Sequence, residues 1–189
     1  MAPWSTQITS NFSSIPSNPQ LSDFFGPYNK LLSALFPVDT EFTVTPYPSL
    51  SSASPSSNSG VPGGLTTSLV FVIFYSTSPV FIVHLHPPSS IRLQSAREDA
   101  DSSIRRHVRD LRATCPLTTL HAVSAFGTKL GLYRAKAGWP ISPERIPAHP
   151  ELIVDTAPQS RWDCDLMEDD GAIRLKEVVN AIRNQCENL

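Results

Sequence analysis

Two apolar runs constrain this chain more than anything else in it. Leu69 to Tyr75 reads LVFVIFY and Val80 to His86 reads VFIVHLH, with Ser76-Thr77-Ser78-Pro79 between them. β-Branched and aromatic residues fill consecutive positions in both runs. Each strand therefore needs cover on both faces, as a central strand of a layered α/β domain does. So short a link predicts an antiparallel hairpin. The second strand ends in two histidines and carries no carboxylate.

The neighbouring segments supply the rest of such a domain. Ser22 or Asp23 can cap a helix that runs through Leu31, Leu32 and Leu35 and stops at Pro37. Glu41 to Tyr47 alternates as a strand, with Pro46 and Pro48 pushing it to an edge or ending it early. A helix is expected from Ser89 or Ser90 to about Arg112, since Ala96, Ala100, Ile104, Val108 and Leu111 form one apolar stripe. Strands follow at Thr119–Phe126 and Lys129–Ala135, around Gly127-Thr128. Four prolines mark residues 138–150 as a loop, and Leu152-Ile153-Val154 reads as a short strand. Glu168-Asp169-Asp170 suits a helix N-terminus, and Ala172, Leu175, Val179, Ile182 and Cys186 stripe the last helix. The long helix is a crossover, so the strand at 119–126 should lie parallel to that at 80–86.

Two stretches look unstructured. Residues 1–20 are rich in Ser, Asn, Pro and Thr and read as a flexible N-terminal arm. In residues 48–64, 14 of 17 positions are Ser, Pro, Gly or Asn and none is charged, the composition of a disordered loop. The expected organisation is one α/β domain over residues 21–189.

Composition narrows the function classes. Hydrophobic residues make up 40% of the 189, enough for a sizeable core, and the net charge of −2 gives no global field to draw nucleic acid. Cys115, Cys164 and Cys186 are odd in number and form no CxxC pair, which argues against a disulfide scaffold or a cysteine zinc site. Reduced thiols and the lack of a secretory signal or a long apolar run suit an intracellular protein, cytoplasmic or nuclear, without a membrane partner.

The order helix, three strands, helix, strand is the αβββαβ core of the PD-(D/E)XK, or restriction-endonuclease-like, superfamily, a mixed sheet with helices packed on it. The chain also resembles a narrower group, a large set of uncharacterised mushroom-type fungal proteins. That resemblance rests on PVFIVHLHPP at 79–88, the helix from Ala96 to Leu111, VSAFGT at 123–128, DTAP at 155–158 and Arg161-Trp162-Asp163. Nucleases of the superfamily bind Mg²⁺ through an Asp on one strand and the Glu of E-x-K on the next, while the Lys orients or activates water. Magnesium wants hard oxygen ligands and the scissile phosphate needs positive charge around it. Here His84 and His86 stand at E-x-K, and Thr66, Thr67 or Ser68 stands at the upstream Asp. Residues 42–97 contain no Asp, Glu or Lys.

The resemblance therefore implies a catalytically degenerate nuclease fold acting as a nucleic-acid or protein binding module. Two alternatives are a metal-dependent nuclease or hydrolase using His84 and His86, and a pure protein-interaction domain. His84 and His86 share a strand face, and with His121 on the next strand they could hold a divalent metal such as Zn²⁺ or Mn²⁺. Arg105, Arg109 and Arg112 share a helix face and are candidates for phosphate binding, against a plainer reading as a solvated face with pairs such as Asp101–Arg105. Trp162 is expected as a core plug and Asp155 as a turn residue.

Overall fold

A computed structural model describes residues 3–50, 67–149, 151 and 154–189. Its centre is a six-stranded mixed sheet in the order β1-β2-β3-β4-β5-β6, with β1 at Phe42–Leu50, β2 at Thr67–Tyr75, β3 at Ser78–His86, β4 at Thr119–Phe126, β5 at Lys129–Lys136 and β6 at Cys164–Asp165. β2 and β3 form the expected antiparallel hairpin, closed by Ser76-Thr77 with Ser76 at φ 53°. β3 and β4 run parallel, with His84 opposite Ser124 and Phe81 opposite His121. The helices are α1 at Thr6–Ser13, α2 at Phe25–Leu35, α3 at Gln94–Arg112 and α4 at Asp169–Cys186, and 3₁₀ turns precede α2 and α3.

Both faces of the hairpin are covered, as its composition requires. On one face Phe25 of α2 stacks on Phe71, and Phe36, which closes α2, packs against Phe81. On the other lies α3, whose Ala100, Ile104 and Val108 are buried as the stripe predicts. The three cysteines are free and buried. No helix among the described residues is long and apolar enough to cross a membrane.

Three expectations need correction or restriction. The segment read as a loose arm carries α1, with Ser5 accepting from the Ile8 amide as N-cap and Trp4, Ile8 and Phe12 buried in the core. Those three lie four residues apart, so one narrow stripe buries through an otherwise polar helix. The short strand expected at 152–154 is not seen at Val154, which is irregular, and residues 152 and 153 lie outside the described residues. The strand that completes the sheet is β6, pairing with Lys129 and Leu130. Of the loop expected over 48–64, residues 48–50 belong to β1, the edge strand, and residues 51–64 lie outside the described residues.

Candidate functional site

Strand alternation puts Val80, Ile82, His84 and His86 on the face that α3 covers. The rings of His84 and His86 lie 4.1 Å apart between centroids. His107 comes down from α3, its ring 5.1 Å from that of His84 and turned 75° to it. His86 also tilts against Phe126, at 5.0 Å. A cavity of about 620 Å³ opens beside these rings, lined by Ser68, His84, His86, Asp99 and Arg106 among others. Of the three upstream candidates, Ser68 is among the described residues on the cavity wall with the two histidines. Thr67 opens β2, and Thr66 lies outside the described residues.

The rings sit in unusual surroundings. His84 is 2% exposed. Both nitrogens of His84, and Nε2 of His86 and of His107, are buried without a hydrogen-bond partner among the described residues. Burial, followed by the neighbouring His86, His107 and Arg106, drives the His84 pKa well below the usual histidine value. Burial and then His107 push His86 down to about 3. Burial and then Arg106 lower His107, against the opposing pull of Asp110. All three rings are therefore neutral at pH 7, with lone pairs available.

Among the described residues, carboxylates are sparse at the cavity end of the hairpin. Glu41 accepts from Ser76 at the turn end of the hairpin, and Asp155 is held by Arg97 at 2.5 Å. Asp99, from α3, is the carboxylate among the described cavity-lining residues. Two hard oxygen ligands of the magnesium type are not brought together there. Nor do three His, Cys, Asp or Glu side chains already converge tightly enough to hold an ion among the described residues.

The structure separates His121 from the other candidates. Its register partner is Phe81, so it faces the opposite side of the sheet from His84 and His86. It borders a different cavity, with Arg134, Ser142 and Arg174. The third histidine of the cluster is His107, which the strand pattern could not supply. The available signal was helical: His107 stands four and eight residues after Ser103 and Asp99, both on the cavity wall.

The arginine face of α3 is also rearranged. Arg105 is 5% exposed, and its guanidinium donates to Asp101 at 2.7 Å and to the carbonyls of Ile141 and Pro143. It is a structural ion and not a phosphate contact, because each of its three nitrogens already donates inside the fold. Arg112 donates to the carbonyls of Cys115 and Thr118. Arg109 remains exposed. Asp101, expected on a solvated face, is buried and also accepts from Arg161 at 2.7 Å and from the Tyr133 hydroxyl at 2.8 Å.

This network explains the DTAP and Arg-Trp-Asp segments. Asp155 accepts from the Ala157 amide, making the expected turn, and pairs with Arg97, which also donates to the Ala157 carbonyl. Arg161 ties the Glu144 carbonyl to Asp101. Trp162 is buried, as expected, its indole donating to Ser124 Oγ at 3.2 Å and its ring edge meeting Phe126. These contacts clamp residues 141–144 and 155–162 onto α3. The chain matches no family model, no curated protein and no solved structure.

Proposed function

We propose that this chain is a restriction-endonuclease-like domain without the magnesium site of that fold, and that it acts by binding nucleic acid. The observation that carries the reading is the meeting of Ser68, His84 and His86 in one cavity. In this reading they stand at the Asp, Glu and Lys positions, with a hydroxyl and an imidazole in place of the two carboxylates and a second imidazole in place of the lysine. The parallel β3–β4 pair, joined through α3, is in keeping with that order.

Phosphate contacts would come from exposed cations other than Arg105. Arg106 stands on the cavity wall. Arg134 and Lys136 flank a second hollow with Trp139, which is 68% exposed. An exposed indole among cations suits stacking of an unpaired base.

Purified protein incubated with single- and double-stranded DNA and RNA plus Mg²⁺ or Mn²⁺ should leave the strands uncut. The same protein should bind a labelled oligonucleotide with an affinity that falls steeply as salt rises, and Trp139→Ala should weaken that binding. Robust cleavage that disappears in His84→Ala would overturn the non-catalytic reading. Lack of binding to any oligonucleotide at low salt would overturn the nucleic-acid reading in favour of a protein-interaction domain.

A further inference from the structure

Of the six buried side-chain polar atoms without a partner among the described residues, four are nitrogens of His84, His86 and His107. Buried polar groups in folded proteins are satisfied as a rule, so four failures at one point call for a cause. No hydrogen bond joins the rings among the described residues, and burial disfavours a charged imidazole there. What the three neutral rings offer is lone pairs.

We propose that His84, His86 and His107 bind one transition-metal ion of the zinc class. Imidazole nitrogen suits Zn²⁺, Ni²⁺ and Cu²⁺, whereas Mg²⁺ demands oxygen ligands that this corner lacks. The spacing is favourable. With metal–nitrogen bonds of about 2.0–2.1 Å, each ring centre lies about 3 Å from the ion and two rings on a tetrahedral ion lie about 5 Å apart. His84 and His107 are at 5.1 Å already. His84 and His86 are at 4.1 Å and would spread by about 1 Å on binding. The three are near one another but not converged, so binding an ion requires the rings to turn one nitrogen each toward a common point. His86 and His107 come from β3 and α3, and the buried His84 neighbours both rings.

The remaining coordination position would face the cavity. Arg106 stands there at an exposed position, where water screens its charge. Its guanidinium would favour an anionic or hydroxyl fourth ligand. The inference rests on the three rings alone and not on the nuclease-fold reading. A failure of one leaves the other standing, because metal uptake and oligonucleotide binding are separate readouts.

The experiment is calorimetric titration of the full chain, stripped with chelator, with Zn²⁺, paired with Co²⁺ titration followed by visible absorption. One ion per chain is expected, with a dissociation constant of about 10 μM or tighter, and Co²⁺ should give the intense bands of a low-symmetry, nitrogen-ligated site. His107→Ala should weaken Zn²⁺ binding by roughly tenfold or more. That residue lies half-buried on a helix, so the variant should keep the far-ultraviolet circular dichroism of the parent. His84→Ala should do the same or more, and His121→Ala, on the other sheet face, should change nothing. Absence of Zn²⁺ uptake up to about 100 μM would overturn the proposal. So would uptake that survives both His107→Ala and His84→Ala, or that is lost in His121→Ala.

Discussion

A single carboxylate organises the back of the site. Asp101 takes one charged donor on each oxygen, Arg105 at 2.7 Å and Arg161 at 2.7 Å, with Tyr133 as a third donor. All four groups are removed from water, and Tyr133 is held protonated by burial and by the Asp101 charge. Removing one member of such a set leaves buried charge without a partner, and this costs more than the intact set contributes. Asp101→Ala should therefore lower the unfolding free energy by about 3–5 kcal/mol. Arg109→Ala, a residue away from the network and exposed, should change it by no more than about 0.5 kcal/mol. Urea denaturation of the two variants checks this pair, and similar effects would contradict the assignment of Arg105 and Asp101 to the interior. In the sequence both residues look like an ordinary i,i+4 surface pair. The spacing was legible. The burial was not, because it depends on Ile141, Pro143 and Arg161 folding back over that turn of α3.

At the scale of elements, α1 is integral to the fold and not an arm. The Trp4 indole donates to the Leu166 carbonyl at 2.7 Å, and the Lys176 ammonium of α4 lies 4.7 Å from the centre of the ring. The first residues of the chain thus latch the segment between β6 and α4. That segment is tight: a Cβ at Gly171 would meet the Asp165 carbonyl oxygen at 1.9 Å, so the first turn of α4 can pack against it only with a glycine there. Trp4→Ala should cost about 3–5 kcal/mol of stability, as loss of a buried indole does, whereas Gln7→Ala, on the exposed side of α1, should be near neutral. Thermal melts of the two variants separate these outcomes, and a neutral Trp4→Ala would return α1 to the status of an appendage. β2, β3 and α3 were readable because their apolar periods run unbroken. α1 was not, since three apolar residues at intervals of four are diluted by Ser, Thr, Gln and Asn.

Over the whole molecule, one core cluster runs from Trp4 and Phe12 through both faces of the sheet to Ile182 and Cys186. A second, small cluster of Ala100, Phe126, Ala157 and Trp162 sits behind the cavity. Shared elements join the two, since α3 and β4 contribute to both. Urea unfolding followed by tryptophan fluorescence and by far-ultraviolet circular dichroism should give one coincident transition. The buried Trp4 and Trp162 report the two clusters. Separate midpoints would mean that the region around Trp162 unfolds on its own. The sequence by itself determined β1 to β5, α2 to α4, the antiparallel hairpin, the parallel crossover and the want of any carboxylate between residues 42 and 97, because periodicity and composition are local properties of the chain. Only the tertiary structure decided which histidines meet. Strand register turns His121 to the far face, and the packing of α3 brings His107 down beside His84. Such a pairing depends on how a helix lands on a sheet, and no repeat along the sequence records that.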